Sequence, residues 1–183
     1  MHISTKMHKE LTEKIEVPAG IEVIIEGDLI TLKKEGKKIG RKFSGFKIQK
    51  EKNFLVLEEK KATKSEKKLM KTTKAHLNNM ILGLEKNYTY KLQICAVHFP
   101  MNVTHDKVKN ELVIKNYLGE VKPRKAKVLP GVEVKIDKEI ITIEGHDKEK
   151  TGQTAANIEK AVKINNKDRR VFQDGIYITE KPE

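Results

Sequence analysis

Apolar positions recur along the chain with two periods. From 69 to 84, Leu69, Thr73, Leu77, Met80, Ile81 and Leu84 keep the spacing of one helix face, and Thr63-Lys64-Ser65-Glu66 ahead of them reads as a capping box. Together they predict a helix over about 64–82. Tyr88, Tyr90, Leu92, Ile94 and Ala96 alternate with Thr89, Lys91, Gln93 and Cys95, the period of a half-buried strand. A second, shorter helix is expected with Thr151 as its cap and Ala155, Ile158 and Val162 on one face, ending before Asn165-Asn166.

The pattern also repeats. Pro18-Ala19-Gly20-Ile21-Glu22-Val23-Ile24-Ile25 recurs as Pro130-Gly131-Val132-Glu133-Val134-Lys135-Ile136 with one residue fewer, and Leu29–Leu32 lines up with Ile140–Ile143 at a spacing of 111 residues. A Pro-Gly turn leading into a β-hairpin, followed by one helix, is therefore expected twice. The first copy carries an extra stretch, 36–60, where Lys42–Lys47 and Phe54–Leu57 suggest a further hairpin. The expected fold class is α+β: two tandem duplicated small domains, each an antiparallel β-sheet with one helix packed on a face. The first would span 1–87 and contain the inserted hairpin, and the second 88–183.

Charge changes the picture from fold to partner. The chain of 183 residues has 38 Lys and Arg against 26 Asp and Glu, a formal net charge of +12, which points to a polyanion. Trp is absent and aromatics are 5%, too few for a groove of base-stacking platforms, so phosphate contact and shape reading fit better. A lone cysteine, Cys95, makes no internal disulfide, the opening MHISTKMHKELTEK lacks the apolar core of a signal peptide, and no apolar run nears the roughly 20 residues of a membrane span. A cytoplasmic protein without a membrane partner is expected.

Catalytic readings fail on residue chemistry. The six histidines fall at no metal-ligand spacing, so no metal or other cofactor is expected. Gly145-His146-Asp147-Lys148-Glu149-Lys150-Thr151 has the position of a phosphate loop, yet Glu149 stands where such a loop needs glycine. No paired carboxylates and no nucleophile with its base survive inspection, which argues against an enzyme and a small-molecule substrate.

Net charge alone favours the first half: residues 1–90 hold 20 basic and 12 acidic residues (+8), and 91–183 hold 18 and 14 (+4). Local arrangement favours the second. Three of the four arginines lie there, and a guanidinium grips phosphate with two parallel donors. Lys122-Pro123-Arg124-Lys125-Ala126-Lys127 is a dense basic segment that Pro123 holds extended, with Lys122, Arg124, Lys125 and Lys127 as candidate phosphate contacts. Thr151, Gly152 and Gln153 at the expected helix start offer open backbone N–H groups, a hydroxyl and an amide. Asn157 and Lys160, with Lys163 at their flank, lead to Asn166-Lys167-Asp168-Arg169-Arg170, so one RNA-facing surface is expected to run through Lys167, Arg169 and Arg170. The lysine face Lys64, Lys67, Lys68, Lys71 and Lys74 of the first helix reads either as a solvated surface or as a secondary RNA or protein contact. A free RNA-binding regulator or assembly factor, and a basic protein-interaction module, stay open beside a stable RNA-bound role.

The segment Ile143-Glu144-Gly145-His146-Asp147-Lys148-Glu149-Lys150-Thr151-Gly152-Gln153-Thr154-Ala155-Ala156-Asn157-Ile158-Glu159 resembles the signature of the large-subunit ribosomal protein L-six family. Asp168–Tyr177 resembles the archaeal and eukaryotic branch of that family, and the repeated Pro-Gly hairpin extends the resemblance over essentially the whole chain. The resemblance implies two related α+β domains, the second bound to large-subunit rRNA near the sarcin–ricin loop, below the factor-binding stalk. The first would face outward or touch neighbouring ribosomal proteins. By carry-over, Gly152-Gln153 and the stretch from Arg169-Arg170 through Gln173 to Gly175 match RNA-facing segments. Further implied partners are stalk-base proteins, with translational GTPases transiently near.

Overall fold

The structure, a computed structural model, describes residues 9–168 and 170–182. The chain divides into two compact units, 1–85 and 86–183.

Unit 1 runs β1 (Lys9–Glu16), β2 (Glu22–Glu26), β3 (Leu29–Lys34), β4 (Lys37–Lys42), β5 (Lys47–Glu51), β6 (Phe54–Ala62) and α1 (Lys64–Glu85). Its strands form two antiparallel sheets, β2-β3-β4 and β1-β6-β5. The helix is started by the reciprocal box expected of it: the Thr63 hydroxyl accepts from the Ser65 N–H, and the Thr63 N–H donates to the Glu66 carboxylate. Met70, Thr73, Leu77, Met80, Ile81 and Leu84 form its buried face, which meets Ile30, Leu32, Leu55 and Leu57 in one core. Leu69 is not part of that face; it is 42% exposed, because Met70 at the next position already fills the stripe. Gly83 is buried on the packed side and Leu84 prolongs it, so the helix continues to Glu85, past the expected 82.

The extra stretch divides differently from expectation. Residues 37–42 form β4 and join the repeated hairpin as a third strand, with Leu32 opposite Ile39. The added hairpin is β5–β6, with Ile48 opposite Leu57. Gly45, at φ +100°, turns the chain between the two sheets in a conformation that L residues rarely adopt.

Unit 2 runs β7 (Tyr88–Cys95), β8 (Asn102–Asp106), β9 (Glu111–Lys115), a 3-10 turn at Tyr117–Gly119, β10 (Arg124–Lys127), β11 (Val132–Asp137), β12 (Ile140–Gly145), α2 (Lys148–Ala161) and β13 (Gly175–Glu180). Strand β7 lies inside an antiparallel sheet of order β11-β12-β7-β13, and β10-β9-β8 form a second. Of the alternating positions, Leu92 and Ile94 point into the core, where they join Ile141, Ile143, Ala155, Ile158 and Val162 with Tyr90 partly buried against them; Tyr88 is buried, and Ala96, past the end of the strand, is exposed.

The duplication is plainest at the hairpins. Ile25 faces Ile30 in β2–β3, Ile136 faces Ile141 in β11–β12, and two residues connect each pair. Gly27 begins one turn at φ +59° and Lys138 the other at φ +50°, the left-handed geometry that matches strand twist. The third strand differs: β3 pairs with β4, which follows it in sequence, and β12 pairs with β7, which precedes it.

Candidate nucleic-acid interface

Helix α2 begins one turn earlier than expected, and this overturns the reading of its start. Asp147 is the cap: its Oδ1 accepts from the Glu149 N–H at 3.0 Å and the Lys150 N–H at 3.4 Å. The Thr151 N–H and hydroxyl both donate to the Asp147 carbonyl, at 2.9 and 2.7 Å, and Thr151 is fully buried. Thr151 through Thr154 therefore lie inside the helix rather than at its open first turn, and the Thr151 hydroxyl is turned inward. With Asp147 at the cap and Glu149 in the first turn, the positive end of the helix is already met by carboxylates.

The glycines nearby have internal reasons. A Cβ on Gly152 would stand 2.8 Å from the Tyr90 hydroxyl, so its lack of a side chain serves packing against β7 rather than close approach of a ligand. A Cβ on Gly145 would run into the Thr151 hydroxyl, and one on Gly175 into the Tyr177 ring at 2.9 Å. Gly175 is buried, opposite Cys95 in the sheet.

The middle of α2 offers polar groups to the outside. The Gln153 amide donates to Asn157 Oδ1 at 2.8 Å, and the Asn157 amide donates to the Lys127 carbonyl at 3.1 Å. Helix and strand β10 are thus joined by a line of amides, with the Lys127 and Lys160 side chains exposed beside it. A second tie lies inside, where the Thr154 hydroxyl accepts from the Leu129 N–H at 3.2 Å. Glu149 lies on the same outward stripe one turn before Gln153, which moves the cationic part of the surface toward Lys160 and Lys163.

The basic segment 122–127 is no free extended arm. Its end is β10, paired to β9 with Lys125 opposite Val113. Lys122 is exposed, and Lys125 is exposed with its ammonium 3.2 Å from Glu111. Arg124 turns inward. Its guanidinium forks onto Glu120 at 2.8 and 2.6 Å, donates to the Ala161 carbonyl at 3.0 Å and lies 4.2 Å over the Tyr117 ring. The hydrogen bond to Glu120 raises the Arg124 pKa, and the same bond lowers that of Glu120. Ala161 ends α2, so Arg124 closes the negative end of the helix, with its guanidinium already engaged by Glu120 and the Ala161 carbonyl.

The stretch after α2 is held from within. Asp174 is 1% exposed and accepts the Val97 and His98 N–H groups at 2.8 and 2.9 Å, while His98 Nδ1 lies 2.5 Å from its other oxygen. Burial would raise this carboxyl's pKa, but the donors of His98 and Val97 outweigh burial and hold it below its usual value. The His98 ring stacks on Phe172 at 5.1 Å, and the Lys167 ammonium sits 4.4 Å from the Phe172 centroid. Arg170 is 90% exposed and chelates Asp168; Gln173, also exposed, reaches the Arg170 carbonyl at 3.5 Å. Arg169 lies outside the described residues. The His98–Asp174 pair was not foreseen, because the partners are far apart in sequence and no local pattern joins them.

Lys127, Gln153, Asn157 and Lys160 are therefore brought to one surface, with Lys122 and Lys125 on the same basic segment and Lys167, Arg170 and Gln173 on the stretch that Asp174 anchors. A duplicated α+β chain whose second copy bears an open face of amides and cations has the character of a binding protein. Residues 99–175 match the family model for ribosomal protein L6. The chain is 42% identical over 173 residues to the large ribosomal subunit protein uL6 of Methanococcus vannielii, covering 93% of this chain and 94% of that one. It is 47% identical over 175 residues to the uL6 protein of Sulfurisphaera tokodaii, covering 93% and 92%. The chain belongs to the ribosomal protein L6 family.

Proposed function

We propose that this protein is a structural constituent of the large ribosomal subunit and reaches large-subunit rRNA through unit 2. The family supports the first statement: its members are structural proteins of the cytoplasmic large subunit, not enzymes, with rRNA and ribosomal proteins as partners. The observation that carries the second is the amide line Gln153–Asn157–Lys127, which ties α2 to β10 and leaves Lys127 and Lys160 open beside it. Lysines there neutralise phosphates, and the paired amides present donors and acceptors at a fixed spacing to ribose and backbone oxygens. Lys167, Arg170 and Gln173 extend the face. In this reading the RNA segment lies near the sarcin–ricin loop and the stalk base, so the protein supports the region where translational GTPases act as well as subunit assembly.

Binding of the full chain to large-subunit rRNA tests this over roughly 50–200 mM salt. Each phosphate contact removed should lower the slope of log K against log salt by about 0.7–0.9. K127Q/K160Q should lower it by close to twice that, with no loss of folding. An unchanged slope would reject this face as the contact.

A further inference from the structure

On α1, Lys64, Lys67, Lys68, Lys71 and Lys74 fall within roughly a third of the helix circumference, away from the buried face, over about 15 Å of axis. The first four are exposed, and Lys74 is half-buried. Along the helix, Lys64–Lys67, Lys64–Lys68, Lys67–Lys71, Lys68–Lys71 and Lys71–Lys74 are like charges three or four residues apart, each of which weakens a helix. No Asp or Glu stands three or four residues from any of these lysines.

Position makes this worse for the isolated fold. The lysines occupy the N-terminal half of α1, next to the positive end of the helix, while its last turn, where cations are favoured, has no basic residue. A helix tuned only for solubility would interleave acids and place its lysines at the other end. Across from the stripe, Glu13 pairs with Lys74 at 2.6 Å. Its carboxyl lies below its usual pKa, first through that hydrogen bond and then through the fields of Lys74, Lys71 and Lys67.

We propose that this lysine stripe is a second RNA-binding surface, on unit 1, which lies along a phosphate backbone segment of large-subunit rRNA separate from the one bound by unit 2. The inference rests on the large-subunit role assigned above. The occupant is a phosphate backbone because the stripe offers flexible point charges of one sign, which suit an evenly charged line more than a shaped epitope.

The test is K64Q/K67Q/K68Q/K71Q in the full chain, beside K127Q/K160Q in unit 2. Large subunits carrying each variant would be footprinted on the rRNA backbone with hydroxyl radicals. The α1 variant should keep or raise the urea midpoint, since repulsion is relieved, and lower the salt slope of rRNA binding by about 3. It should lose protection of one backbone segment that K127Q/K160Q retains. A wild-type footprint from the α1 variant overturns the proposal, and so does earlier salt elution from subunits with an unchanged footprint, which would assign the stripe to an acidic protein. If instead K127Q/K160Q changes nothing while the α1 variant loses its segment, the unit 2 face falls and this proposal stands.

Discussion

Gly145 faces the hydroxyl of Thr151, which is fully buried and held by the Asp147 carbonyl. A methyl group there has nowhere to go, so G145A should destabilise the chain by about 2 kcal/mol in urea unfolding. Removing the hydroxyl opposite restores space, and G145A/T151A should cost clearly less than the sum of the single changes. Arg124 gives a second expectation. R124A should cost about 2 kcal/mol through the lost fork on Glu120 and the lost closure of α2, and R124K should recover little, because an ammonium cannot span both carboxylate oxygens and the Ala161 carbonyl. The salt slope of rRNA binding by R124A should equal that of the wild type, whereas a phosphate contact would lower it. At this scale the sequence was readable by residue type but not by direction. Lys127, Asn157 and Lys160 lie on an open face as their polarity suggested, while Arg124, equally basic, bends back onto Glu120 and Tyr117 because the 3-10 turn at Tyr117–Gly119 brings both beneath it.

Elements were legible where their signal was local. Helix α1 and strand β7 follow from spacing and alternation, and the start of α1 from its capping box. The start of α2 was misjudged because Asp147 and Thr151 are both good caps four residues apart, and only packing decides that Thr151 is buried. D147A should therefore cost about 1 kcal/mol, with fraying of the first turn visible in amide exchange. The stretch between α2 and β13 depends on a tie without local signature. D174N removes the charge that His98 and Val97 surround and should cost about 2 kcal/mol, with loss of the His98–Phe172 stack in the aromatic NMR shifts. Because the Asp174 carboxyl is held below its ordinary value, its stabilisation is present above about pH 4 and is lost as pH falls through the lower folded value. The stability difference between wild type and D174N should accordingly shrink below about pH 4.

For the whole molecule, each unit has its own core, one around Ile30, Leu32 and Leu77 and the other around Leu92, Ile141 and Ile158. L32A, at a site of 0% exposure, should cost roughly 2–5 kcal/mol and speed amide exchange throughout β1–α1, with little change in β7 and α2. The duplication could be read from the hairpin motif, but not the partner of each hairpin, since strand pairing depends on segments far apart in the chain. That difference in partners matters during synthesis. One polypeptide holding two copies of the same hairpin is exposed to mispairing, in which either copy takes the other's place. Here β4 follows β3 at once, so the first copy is closed by the residues next delivered, long before 132–145 exist. The second copy emerges to find β7 already made and waiting as its template. Order of translation thus sorts two look-alike segments without help from their sequences, and a circular permutant that delivers both hairpins before either closing strand should refold with more swapped and aggregated product.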